Sequence, residues 1–172
     1  MKNVIKMLVA VAVLGLAVSS FAQTNKTENQ GSWVLGVGGG GNTATVDNGA
    51  SAFGLTVDIA RTGHLLTPIQ TGVRQSIAYV NVDGSQTLLT TVLYNDWTVL
   101  TYKRVDLFAG ANVGVTYGNT KPLWVLAPEA GLRWLLKEDV ALVGRIQYGF
   151  DLNNNAHQQN SLGYEVSIQF KF

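Results

Sequence analysis

Residues 164–172 read Tyr-Glu-Val-Ser-Ile-Gln-Phe-Lys-Phe, a strict alternation of large apolar and polar side chains that ends on an aromatic ring. Successive side chains of an extended strand point to opposite faces, so Leu162, Tyr164, Val166, Ile168, Phe170 and Phe172 form one unbroken apolar row. The same row recurs along the chain. A chain of this kind must build a sheet with a continuous greasy face, and that face has to meet either a core or lipid.

The first residues stand apart from this pattern. Lys2 and Lys6 precede an apolar run from Met7 to Val18, followed by Ser20-Phe21-Ala22. Basic start, apolar centre and small residues at −3 and −1 describe a secretory signal cut after Ala22. The run is too short for a spanning helix, which needs about 20 apolar residues, and no second run is longer. Residues 1–22 are thus expected to be a cleaved signal peptide, 23–31 a polar tail and 32–172 one folded domain.

The absence of cysteine excludes a disulfide framework and thiolate metal sites. Without Lys2 and Lys6 the twelve basic residues fall to ten against eleven acidic ones. Such a balance offers no attraction to nucleic acid.

Eight strands are expected, at about 32–40, 51–61, 68–80, 87–100, 105–117, 123–136, 140–151 and the closing segment. Turn residues separate them: Gly41-Asn42, Asp47-Asn48-Gly49, Asp83-Gly84-Ser85, Gly118-Asn119 and Asn153-Asn154-Asn155. The fourth strand is the least regular. Pro128 conflicts with the sixth, because proline cannot donate to a ladder, so a bulge or a break is expected there.

The faces opposite the apolar rows are small or singly charged. Examples are Gly36, Gly38 and Gly40, then Gly54, Thr56 and Asp58, and Ala127, Glu129, Gly131 and Arg133. A water-facing surface would carry many large charged residues. A crowded interior suits small residues with a few long polar ones, and eight strands enclose just enough room for side chains to fill. The apolar face then points outward into lipid, and the sheet must close so that every backbone polar group is paired.

The aromatic residues fit this orientation. With both termini periplasmic, Trp33, Trp97, Trp134, Phe170 and Phe172 fall near one membrane boundary. Phe53, Tyr79, Tyr117, Trp124, Phe150 and Tyr164 fall near the other. Rings of this kind favour the water–lipid boundary. Tyr94 and Phe108 break the pattern by pointing inward.

Together these features resemble the small outer-membrane β-barrel family of the OmpA transmembrane-domain and OmpX type. The features are the signal ending Ser20-Phe21-Ala22, the amphipathic strand count, the run Pro128–Trp134 before the tight Lys137-Glu138-Asp139 turn, and the aromatic terminal strand. The resemblance implies an all-β, eight-stranded antiparallel up-and-down transmembrane barrel in a Gram-negative outer membrane. It also implies that the barrel-assembly machinery reads the last strand, through Tyr164, Val166, Ile168, Phe170 and Phe172. Nothing in the chain corresponds to the peptidoglycan-binding domain of full-length relatives, so cell-wall tethering does not carry over.

The chemistry-bearing residues gather in the expected lumen. A turn around Glu138 sets Glu129 opposite Gln147 and diagonal to Arg145; a turn near Ala156 sets Glu165 diagonal to Arg145 as well. The expectation is a network of Arg145 with Glu129 and Glu165, a second pair of Asp58 with Arg74, and extensions through Arg133 and Lys171. A charge in such a place must be paired or wet. It can serve as a filling plug or line a narrow path for small solutes.

Catalysis has little support. His64 is expected in a turn, and His157 and Ser161 as solvated residues of a polar loop, whereas a serine hydrolase needs a nucleophile, a base and an orienting acid brought together. No cofactor motif or metal spacing occurs, and Gly38–Gly41 lacks the following Lys-Ser/Thr of a phosphate loop. The reading is therefore a non-enzymatic barrel with a structural or surface-interaction role, whose partners are outer-membrane lipid and an unnamed surface ligand. A narrow channel, a lipid-modifying hydrolase and a secreted barrel with an apolar ligand inside are the alternatives.

Overall fold

A computed structural model describes residues 31–44, 51–64, 68–81, 85–118, 122–152 and 160–172. The expected signal peptide, nearly all of the polar tail and His157 lie outside them. The elements are β1 (Trp33–Ala44), β2 (Ser51–His64), β3 (Pro68–Asn81), β4 (Ser85–Tyr102), β5 (Val105–Tyr117), β6 (Leu123–Leu135), β7 (Val140–Asp151) and β8 (Ser161–Lys171). Each pairs antiparallel with the next, and β8 returns to β1, closing a barrel. At the seam Trp33 and Phe172 exchange both main-chain hydrogen bonds, each at 2.9 Å.

The alternation of the sequence becomes an inside and an outside. On β2 the outward Leu55 is 63% exposed, while the lumenal Arg74 on β3 is 2% exposed. All the expected girdle residues face outward: Trp33, Trp97, Trp134, Phe170 and Phe172 ring the end where β1 begins and β8 finishes, the terminal end. Phe53, Tyr79, Tyr117, Trp124, Phe150 and Tyr164 ring the other, the loop end. An exterior this apolar, with few polar side chains between the two girdles, fits hydrocarbon rather than water.

Several local expectations change. β1 continues to Ala44 rather than stopping at Gly40, and β2 reaches His64, which pairs with Pro68 and so belongs to a strand rather than a turn. Pro128 causes neither a bulge nor a break. Pairing of β6 with β5 runs straight through it, while pairing with β7 skips Ala127 and Pro128 and resumes in the same register. The missing N–H removes local pairing without displacing the strand. The irregularity lies instead in β4, where the register shifts between Thr98 and Leu100 beside Val99. β4 then turns into β5 through Lys103-Arg104, with Lys103 at φ 54°, in the left-handed region.

Two glycines make room for specific groups. A Cβ at Gly36 would overlap the Asp58 carboxylate, and one at Gly131 would overlap the Phe108 ring. The lumen is packed closely enough that a single methyl group has no place at either point.

Candidate functional site

The lumen side chains form two stacked tiers. The first is a ring of alternating charge near the middle of the barrel. Arg74 on β3 donates to Glu129 on β6 through two bonds, Nη1 to Oε2 at 3.0 Å and Nη2 to Oε1 at 3.2 Å. Arg74 Nε lies 3.7 Å from Glu165 Oε2 on β8. Arg145 on β7 completes the ring, with Nη1 3.8 Å from Glu129 Oε1 and Nε 3.6 Å from Glu165 Oε1. Asn112 Nδ2 on β5 adds donations to Glu129 Oε2 at 3.0 Å and to Gln147 Oε1 at 3.1 Å. Two guanidinium groups thus balance two carboxylates. Balance matters here, because an unmatched charge in a dry interior is costly.

The second tier, toward the terminal end, is a closed circuit of hydrogen bonds. Tyr94 Oη donates to Asp58 Oδ2 at 2.7 Å and accepts from Gln70 Nε2 at 3.0 Å. Arg133 Nη2 donates to Gln70 Oε1 at 2.6 Å, and its Nε to Gln169 Oε1 at 3.4 Å. Gln169 Nε2 returns to Asp58 Oδ2 at 3.4 Å.

The two inward aromatics join the tiers. Arg74 and Arg145 lie 4.5 and 5.7 Å from the Tyr94 ring centre. Arg145 and Arg133 lie 5.8 and 5.3 Å from that of Phe108. Their ring faces offer negative potential to three cations that repel one another.

Several expected contacts are therefore rearranged. Glu165 stands directly across from Arg145, not diagonal to it, because the β7–β8 register is centred on Asn155, one residue before the assumed turn. Moving a turn centre by one residue moves the pairing by two. Asp58 and Arg74 are register partners but form no ion pair within 4 Å; Tyr94 and Gln169 take Asp58, and Glu129 and Glu165 take Arg74. Arg133 joins the glutamine circuit rather than the ion ring. Lys171 joins neither: it is exposed at the rim of a funnel of about 330 Å³ that opens at the terminal end beneath Arg133 and Gln169. Ser161 lies at the start of β8 and accepts a bond from Asn42 Nδ2 at 3.3 Å, so it is a strand residue rather than a loop one.

Asp96 is the buried lumenal acid that sequence reasoning missed. It is 1% exposed, and neither carboxyl oxygen has a hydrogen-bond donor among the described residues. Gly110 pairs with Asp96 on one side and Glu129 on the other, so the two acids flank a residue without a side chain. Its parity with Tyr94 on β4 was the available signal. An amide at this position would carry N–H donors within reach of Glu129 and place no second acid beside it. Asp96→Asn is expected to raise the free energy of unfolding by about 1–3 kcal/mol, measured by urea unfolding from vesicles.

No protein-family model matches the chain, and no curated protein matches its sequence. Solved structures share its architecture. Neisserial surface protein A is 14% identical, with 81% of this chain and 97% of that chain covered and a TM-score of 0.67. The attachment invasion locus protein Ail of Yersinia pestis is 13% identical, with coverages of 84% and 100% and a TM-score of 0.54. The outer membrane enzyme PagL is 9% identical, with coverages of 80% and 98% and a TM-score of 0.57. The chain has the fold of small eight-stranded outer-membrane barrels, a fold that carries surface proteins and an enzyme alike.

Proposed function

We propose that this chain is a non-conducting outer-membrane barrel of a Gram-negative cell, serving as a structural and surface-presenting protein rather than an enzyme. The observation that carries the reading is the pairing of an apolar exterior with a lumen crossed by side chains. Arg74, Glu129, Arg145 and Glu165 bridge β3, β6, β7 and β8, so they fill the bore rather than line it. The funnel at the terminal end stops at the Gln70–Arg133–Gln169 contacts.

Connection lengths support a periplasmic terminal end. There β4 and β5 are joined by Lys103-Arg104 and β6 and β7 by residues 136–139, whereas the loop end joins β7 and β8 through residues 152–160. Barrels of this class keep short turns inside the cell envelope and longer loops outside. Surface recognition would then reside in those outer connections.

Two measurements test the reading together. Outer-membrane fractionation with heat-modifiable gel mobility is expected to find a folded, membrane-bound barrel, and planar-bilayer recording is expected to find no steady conductance. A steady wild-type conductance that Arg145→Ala alters would replace the plug by a channel. Solubility without detergent would remove the membrane reading altogether.

A further inference from the structure

The exterior is not uniformly apolar. Outward positions on β3 and β4 hold Thr71, Gln75, Thr91 and Asn95, within an otherwise greasy wall. They form two cross-strand pairs. Thr71 Oγ1 donates to Asn95 Oδ1 at 3.0 Å, and Thr91 Oγ1 donates to Gln75 Oε1 at 2.6 Å. Gln75 Nε2 is also held, donating to the main-chain oxygen of Thr90 at 3.1 Å. The Gln75–Thr91 pair lies about midway between the two aromatic girdles, and Thr71–Asn95 lies two residues inward from the Ile69–Trp97 pair. Along the Asn95 row the neighbours are low: Ala111 on β5, then Pro128 on β6.

Asn95 is the group left over. Its Oδ1 accepts from Thr71, and no bond from its Nδ2 is seen to any described residue. In hydrocarbon a free amide donor costs far more than in water, and a lipid tail offers nothing to receive it. A second copy in the same membrane stands upright in the same sense. Any two-fold axis relating the pair runs along the membrane normal, so each row meets its own depth. Asn95 then faces Asn95. A primary amide is self-complementary about such an axis, because the N–H of each copy reaches the carbonyl oxygen of the other. Small neighbours permit the close approach that association in lipid requires.

We propose that the β3–β4 wall is the surface through which two copies of this chain associate side by side in the membrane, with Asn95 bonded across the two-fold axis. The proposal rests on the membrane reading above, and its test separates the two.

The chain contains no cysteine, so single thiols report cleanly. Leu93→Cys places one on β4 beside Asn95, and Val166→Cys places one on β8, halfway round the barrel. Both proteins are reconstituted at low density in phosphatidylcholine vesicles and treated with a short bis-methanethiosulfonate. Leu93→Cys is expected to give dimers at least tenfold faster than Val166→Cys. Adding Asn95→Leu should abolish that difference, and Asn95→Gln should retain most of it, with heat-modifiable mobility showing each variant folded. Equal rates at the two positions, or a Leu93→Cys rate indifferent to Asn95→Leu, would overturn the dimer while leaving the membrane barrel intact. Protein that stays in the aqueous phase would overturn both.

Discussion

Glu129→Ala is expected to lower the free energy of unfolding by about 3–5 kcal/mol, the cost of leaving buried charges without their partner. Glu129 holds Arg74 by two hydrogen bonds, approaches Arg145 within 3.8 Å and receives Asn112. Its removal leaves Arg74 and Arg145 with Glu165 as their remaining ion-pair partner within 4 Å among the described residues, in a space where the two arginine side chains are at most 3% exposed. The ring as a whole is not a large net source of stability, since an apolar filling of equal volume can match such a network. That distinction gives the measurement a second arm. Glu129→Ala with Arg74→Met should recover a substantial part of the loss, because the double variant restores charge balance to Arg145 and Glu165. Urea unfolding from vesicles reads both. A single variant within about 0.5 kcal/mol of wild type would mean that water reaches the ring and screens it.

The second large effect lies on the outer face of the barrel, on β2. Val57→Arg puts a cation on the outer wall at a position paired with Val37 and Gln75, far from both girdles. Such a change at the midplane of a bilayer costs about 2–4 kcal/mol, falling toward zero near the interfaces. Thr43→Arg, near the loop end of β1, should therefore cost under about 1 kcal/mol by the same depth dependence. A water-exposed wall would accept both changes equally. Equal tolerance in unfolding experiments would place Val57 in contact with solvent and reverse the assignment of faces.

The two faces were legible in the sequence because a period of two has only one alternative, and the small residues at Gly36, Gly54 and Gly131 marked the crowded side. The Glu129–Gln147 pairing was legible too, since the tight Lys137-Glu138-Asp139 turn leaves little freedom of register. The β7–β8 register was harder. Residues 152–160 do not mark their own centre, and one residue of uncertainty separates a diagonal Glu165 from a facing one.

Contacts across the bore were not legible at all. Arguments from adjacency reach only neighbouring strands, whereas Arg74 and Glu129 come from β3 and β6. That is why Asp58 was matched with its neighbour Arg74, when Tyr94 from two strands away takes it. On β4 the inward Tyr94 and the outward Trp97 set the phase, so Asp96 and Asn95 were legible by parity, but an apolar row broken by Thr91 and Asn95 left neither marked.

The reciprocal bonds between Trp33 and Phe172 leave the pairing with no loose end. An open sheet can be lost strand by strand from its margin, each step exposing one row of backbone groups. A cyclic ladder has no margin, so the first opening must break a whole row of bonds and bare two edges at once. The lumenal tiers tie strands that are not neighbours, so that first rupture strains contacts on the far side as well. Gradual fraying is thereby closed to this molecule, and its persistence in a membrane follows from how the ring is joined as much as from how tightly any one strand is held.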